Sequence, residues 1–389
     1  MGTYYVARLR DEGLVSIYSD KKGIMARFFE NGSWGDAQLL LEEALPSFTA
    51  EFDDSGSLCI FAQSRESDIV RISYNGTRLS QRTVLSGQSS NKYNMRVQQL
   101  QSGSLVYNVP ADGSKFKLIM QSAEEGGWGE PEEIATAPAL PGHDGAFELQ
   151  LINKGHGLVF YSSENNVIGY KEISPTQTCE FIPISRPGEI VLDCSFLTLQ
   201  SGVYVVYVIA NLFSQRLLYR RKVSEKFSEP IILWEGMRIE KPMISEINRE
   251  IWAHWLFGEN LYIAKAEESN SPHEATPKAA KLMGSAEVYT QKFCKRPVVA
   301  SYIVSGDGLR NIYVDSARPW DVQILPDVLP TFYPIMRSAE PPMQDEKAMP
   351  PELVNSDYDR KLQFMTMHAQ KLKEENEKLK TLIEKKDRV

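Results

Sequence analysis

Short apolar runs alternate with polar turns along residues 1–325, and the alternation is periodic. A leading apolar run enters a polar turn that ends in glycine, and a second apolar run follows. The leading runs read YYVARLRDEG (4–13), SFTAEFDDSG (47–56), NMRVQQLQSG (94–103), AFELQLINKG (146–155), DCSFLTLQSG (193–202), EKPMISEINR (240–249) and PVVASYIVSG (297–306). Their last residues, Gly13, Gly56, Gly103, Gly155, Gly202, Arg249 and Gly306, lie 43, 47, 52, 47, 47 and 57 residues apart. Second runs such as SLCIFAQ and VYVVYVIA are rich in the β-branched and aromatic residues that suit a pleated surface. Third runs (IVRISY, LLYRRKV) and less regular fourth runs (RTVL, PIILW) close each unit. Several alternate apolar and polar positions, as strands with one buried face do.

Four short antiparallel strands per unit, seven times over, predict an all-β fold: a seven-bladed β-propeller of four-stranded blades over residues 1–325. Stacked sandwiches use strands as short but have no reason to keep a turn spacing. Helical hairpin repeats need apolar positions at i, i+3 and i+4, which are absent. The last blade is expected from VVASYIV, NIYVDS and WDVQIL, with TFYPIM (331–336) as its fourth strand. Residues 266–290 read as an insertion holding a loop and the outer strand of blade six. Only three residues precede Tyr4, too few to lend the last blade an outer strand.

Beyond Leu325 the pattern changes. Residues 326–356 hold seven of the 21 prolines and read as a semi-extended linker. Ser356 with Asp359 resembles a capping box. From there Leu362, Met365, Ala369, Leu372, Asn376, Leu379 and Ile383 keep a 3–4 spacing, which predicts a coiled-coil helix over 357–389. A polar Asn376 at an a position favours a parallel pair in one register, and Glu375 at g can meet Lys380 at e of a second chain. The segment does not resemble a basic zipper on DNA, because the QDEKAMPPELVNSDYD ahead of the helix is acidic and proline-broken.

Three units carry a related motif near their outer edge: WGDAQLL at Trp34, WGEPEEI at Trp128 and FSEPIIL at Phe227. Large rings placed there are expected to pack between neighbouring blades, where they bury most area. At these residues the chain resembles the bacterial sialidase-like and fucose-lectin-like propellers, whose blades often carry a W-x-x-P-x-x-L element. The resemblance covers residues 1–325 and implies the architecture. The sialidase Asp-box, S-x-D-x-G-x-T-W, is not met, since ARFFENGS precedes Trp34 and QSAEEGG precedes Trp128.

Composition narrows the function classes. The chain has 389 residues, 42% hydrophobic and 24% charged, with a net charge of −8, a poor match to nucleic acid or anionic lipid. No run approaches the ~20 apolar residues of a membrane span. The start lacks a secretory layout, and Cys59, Cys179, Cys194 and Cys294 form no CxxC pair, so a cytoplasmic setting without a disulfide framework is expected. No P-loop, HExxH or GxSxG is present, and His143, His156, His254, His273 and His368 are scattered, so neither metal nor cofactor is expected.

In a propeller the leading strands line the axis, which makes Glu51, Arg96, Gln98, Glu148, Gln150, Asp193 and Lys241 the channel-lining candidates. A sialidase-like site needs three arginines converging on a carboxylate. The leading strands offer Arg8 and Arg96, and Arg296 falls just outside the last one. Tyr4 or Tyr302 beside Glu51 or Glu148 would be the nucleophile and base of such a site. Taken together, these features predict a non-enzymatic scaffold that binds a protein partner and is dimerised by residues 357–389. The alternatives are a lectin-like propeller, with Trp252, Trp255 and Trp320 as sugar-stacking candidates, and a degenerate sialidase-like glycoside hydrolase.

Overall fold

A computed structural model describes residues 4–334, apart from segments of which the longest are 87–96, 139–146, 174–179, 267–276, 295–301 and 316–332. The chain divides into two units, Met1–Met336 and Arg337–Val389. The heptad residues, and the predicted linker apart from Tyr333–Pro334, lie outside the described residues, as do Arg96, Arg296 and Trp320.

Every regular element among the described residues is a strand. Numbered in chain order, the first set is β1 (Tyr4–Arg8), β2 (Leu14–Asp20), β3 (Gly23–Glu30) and β4 (Gln38–Glu42). The second is β5 (Phe48–Phe52), β6 (Leu58–Gln63), β7 (Ile69–Tyr74) and β8 (Leu79–Leu85). The third is β9 (Val97–Gln99), β10 (Leu105–Pro110), β11 (Lys115–Gln121) and β12 (Glu132–Pro138). The fourth is β13 (Phe147–Ile152), β14 (Gly155–Ser162), β15 (Val167–Ile173) and β16 (Ile182–Pro183). The fifth is β17 (Ile190–Leu199), β18 (Gly202–Ala210), β19 (Gln215–Val223) and β20 (Ile231–Gly236). The sixth is β21 (Glu240–Ile247), β22 (Glu250–Phe257), β23 (Asn260–Lys265) and β24 (Lys278–Lys281). Last come β25 (Ala286–Phe293), β26 (Tyr302–Gly306) and β27 (Asn311–Asp315). Within each set, strands pair antiparallel with their sequence neighbours. The fold is all-β and propeller-like.

The glycines of the leading turns are there for their backbone. Gly56, Gly103 and Gly202 have φ of 77°, 85° and 143°, where an L side chain meets steric cost. Arg249 holds the same turn position at φ 65°.

The core is a series of apolar clusters, each joining one set to the next. Ile17 and Ala26 pack on Phe48 and Ile60; Phe61 and Ile69 on Leu105; Val106 and Leu118 on Phe147 and Leu158. Tyr170 and Ile184 pack on Val205 and Tyr207; Val206 and Leu217 on Ile244 and Trp255; Met243 and Leu256 on Val304. Val6 and Leu14 then pack on Tyr289 and Ile303, which joins the last strands back to the first set. Each large apolar side chain so buried contributes about 1.5–3 kcal/mol.

The join between the ends of this unit differs from the sequence expectation. Residues 266–290 supply β24, the outer strand of the sixth set, and also most of β25. β25 lies between β26 and β1, antiparallel to the former and parallel to the latter, with Tyr5 opposite Thr290 and Arg8 opposite Phe293. One eight-stranded sheet thereby carries both the first and the last strands. TFYPIM does not extend the last set: Tyr333–Pro334 pairs with Lys278–Ala279 of β24. The physical reason is edge satisfaction, since β24 is short and its open side takes a further strand.

Candidate functional site

The leading strands bring their polar side chains together, and most of these bind main chain of the next strand. Thr49 on β5 donates to the carbonyl of Val97 on β9. Gln98 donates to the carbonyl of Leu149 on β13 at 3.2 Å and to the Glu51 carboxylate. Gln150 donates to the carbonyl of Phe196 on β17 and accepts from the Thr198 amide at 2.9 Å. Gln150 Nε2 also donates to Glu148 Oε1 at 3.3 Å. Gln98 and Gln150 are buried, so these bonds satisfy groups that would otherwise be stranded away from water. Their role is to tie successive strands. Asp193 sits at an irregularity in β17 and accepts from the Cys194 amide at 2.8 Å. Lys241, with φ 48°, occupies the shift in register between Glu240 and Met243.

The β25 seam holds a second polar group. Arg8 donates to Gln291 at 3.1 Å and to Asp315 at 2.8 Å, and Gln291 donates to Asp315 at 2.6 Å; all three are buried. Lys292 Nζ lies 3.6 Å from Glu51. Arg8 thus neutralises Asp315 and holds β25 and β27 to β1. Tyr302 Oη and Ser195 Oγ are 2.9 Å apart. Burial, with Glu148 and Asp193 nearby, pushes the Tyr302 phenol well above its ordinary pKa. Burial and the same two carboxylates raise the Cys194 thiol. Both groups are held neutral, the opposite of nucleophile activation.

The three motif aromatics lie at joins between sets. Trp34 packs against the cluster of Val6, Tyr289 and Ile303, 5.2 Å from the Phe29 ring. Trp128 Nε1 donates to the carbonyl of Val84 at 3.0 Å, and Phe227 meets Tyr170 edge-on at 6.1 Å. Trp255 is fully buried, 5.5 Å from Tyr262 and 6.0 Å from Trp234, which removes it as a sugar platform. Trp252 is half-buried, with its Nε1 enclosed.

Two features escaped the sequence reading. The first is a tyrosine cluster where β1 meets β25. Tyr4 and Tyr289 have ring centres 5.2 Å apart, and Tyr289 donates to Glu287 at 2.6 Å. Burial, with the Glu287 carboxylate nearby, raises the Tyr4 pKa. Tyr18 stands opposite Tyr4 in register. Tyr4, Tyr18 and Glu287 are all part-exposed. The signal was present as YY at 4–5 and E-x-Y at 287–289, but their adjacency depends on β25. The second feature is the β18–β19 turn, where Leu212 and Phe213 are 93% and 92% exposed.

No group of three or more His, Cys, Asp or Glu among the described residues is placed to hold a metal ion. No helix among them is long and apolar enough to cross a membrane.

No protein-family model matches the chain, and no curated relative matches it. Solved structures do. A mutant of the Aleuria aurantia lectin in complex with α-methyl-L-fucoside is 10% identical, with a TM-score of 0.46 over 73% of this chain and 95% of that one. Another structure of that lectin, titled a six-bladed β-propeller, gives 10% and 0.42 over 73% and 97%. A polysaccharide lyase, an ulvan lyase bound to its saccharide, is 11% identical with a TM-score of 0.40 over 72% and 78%.

Proposed function

We propose that the chain is a non-catalytic, seven-bladed binding propeller that takes a glycan at the tyrosine cluster where β1 meets β25. Residues 357–389 pair two copies in this reading. The blade count is supported by the seven successive sets of antiparallel strands, of which the last and the first share one sheet through β25 and β1. The observation that carries the ligand class is Glu287, a part-exposed carboxylate bonded to the Tyr289 hydroxyl, with Tyr4 beside it and Tyr18 in register with Tyr4. Tyrosine faces are flat and apolar with a polar rim, and a carboxylate accepts hydrogen bonds from vicinal hydroxyls, which is the chemistry a neutral sugar ring requires. Catalysis is disfavoured because Arg8 serves Asp315 and Gln291, and Tyr302 is held as a phenol. Pairing two such faces would raise avidity without a new contact.

The experiment is a glycan array followed by calorimetry on the best hit, for the full chain and for Tyr4→Ala and Glu287→Gln. The proposal expects one saccharide class to bind, and each substitution to weaken it at least tenfold. Binding unchanged by both substitutions refutes the site, and turnover of a fluorogenic glycoside refutes the absence of catalysis. Sedimentation of the full chain beside Leu372→Pro tests the pairing: self-association weakened by the substitution supports it, and self-association unchanged by it defeats it.

A further inference from the structure

The end of the fifth set exposes apolar side chains that its own fold does not use. Ile190, Ala210, Gln215 and Gly236 are in register across β17, β18, β19 and β20. They form one line across the end of the sheet, roughly 14 Å wide at the usual strand spacing. Leu212 and Phe213 occupy the turn just beyond that line, and Met237 leaves β20 at the same end. Ile190, Leu212, Phe213 and Met237 are 56%, 93%, 92% and 82% exposed.

The tip is held firmly. The Asn211 amide donates to the Ser214 carbonyl at 2.8 Å and closes the turn. Ser214 donates to Glu235 at 2.7 Å, and the Ile239 amide donates to Gln215 Oε1 at 2.6 Å, which fastens the turn and the start of β19 to β20 and to the segment that follows it. Four large apolar groups are therefore presented by a fixed surface. At the usual size of such side chains they offer on the order of 500–600 Å², as much as the largest patch of an ordinary monomer.

The rim decides the occupant. Arg216 lies 2.9 Å from Glu235, and Arg238 is bonded to Glu240. The two basic and two acidic groups cancel, so the patch has no attraction for a charged ligand or an anionic lipid surface. Equal and opposite charges beside one apolar centre are self-complementary: under a two-fold rotation Arg238 of one copy can face Glu240 of the other. Phe, Met, Leu and Ile at the centre with Arg at the edge match the make-up of an interface core and rim. The apolar area with its rim approaches the ~800 Å² that each side of a stable complex buries.

We propose that this end of the fifth set is an interface that docks on the same surface of a second copy of the chain. It is independent of the tyrosine cluster and of residues 357–389.

The test uses the full chain with Leu372→Pro and Leu379→Pro, so that helix pairing cannot contribute, with and without Leu212→Ser/Phe213→Ser. Both tip residues are exposed, and an unchanged melting midpoint checks that the fold is kept. Sedimentation equilibrium is expected to show a concentration-dependent dimer in the heptad-broken chain, weakened at least tenfold by the tip changes. Arg238→Glu is expected to weaken it as well, and Arg238→Glu/Glu240→Arg to restore it. A heptad-broken chain that stays monomeric overturns the proposal, as does a dimer indifferent to the tip. Tip-dependent co-sedimentation with phosphatidylcholine vesicles by a monomeric chain also overturns it, in favour of a bilayer. Self-association weakened, but not abolished, by breaking the heptad reports the helix pairing, while the tip variants in the heptad-broken chain report this surface.

Discussion

Lowering the pH brings a proton to a histidine that folding has buried. His254 on β22 is 1% exposed; its Nε2 meets Ser245 Oγ at 2.9 Å, and its Nδ1 is enclosed without a partner. Burial alone depresses its pKa from 6.5 to about 4. A depressed folded-state value means that the unfolded chain binds the proton first. The contribution of this site is therefore fully present above about pH 6.5 and is lost as the pH falls towards 4. The full shift corresponds to about 3.5 kcal/mol at ~1.4 kcal/mol per pH unit, of which about 2.5 kcal/mol is lost by about pH 4.5. Urea unfolding of wild type and His254→Gln at about pH 7.5 and about pH 4.5 isolates this site, because carboxylate titration is common to both. Wild type is expected to lose about 2.5 kcal/mol more than the variant over that interval. Equal losses would refute the reasoning, since they would mean that the imidazole takes up its proton without opening the sixth set.

Three further outcomes follow from particular contacts. Gln150→Ala strands the Phe196 carbonyl and the Thr198 amide, so denaturation is expected to show a loss of about 3 kcal/mol; a loss below about 1 kcal/mol would mean the strands are not tied there. Arg249→Gly relieves a φ of 65° at an exposed turn and is expected to raise stability by about 0.5–1 kcal/mol, read as a higher urea midpoint; a lower midpoint would show that the turn is not strained. Trp128→Phe removes the bond to the Val84 carbonyl while keeping an aromatic ring, and a cost near 1 kcal/mol is expected; no change would leave that bond without a stabilising role.

The strand pattern was legible because one face of each strand is buried, which writes a period of two into runs such as IVRISY. The leading turns were legible because glycine marks φ > 0, and Arg249 kept the spacing without the residue. β25 was not legible: AEVYTQKF lies inside a segment that breaks the period, and its partner β1 is almost the whole chain away. The candidate glutamines were placed on the leading strands from alternation alone. Their bonds to Leu149 and Phe196 depend on the register between strands of different sets, which no local pattern encodes. Trp255 shows the same limit, since an aromatic in an apolar strand reads alike whether it faces a sugar or another set. Leu212 and Phe213 were written plainly in ANLFSQ, yet only the exposure of the turn separates them from core residues.

Closure through β25 is the claim on which the ring and the tyrosine cluster both stand. Hydrogen exchange of the full chain, followed by mass spectrometry of peptides covering residues 4–9, 203–210 and 286–293, reads it directly. The account predicts that the first and last of these are protected to a degree comparable with 203–210, at the centre of the fifth set, and that Arg8→Ala deprotects both together. Full exchange of 286–293 within seconds, with 203–210 still protected, would contradict it.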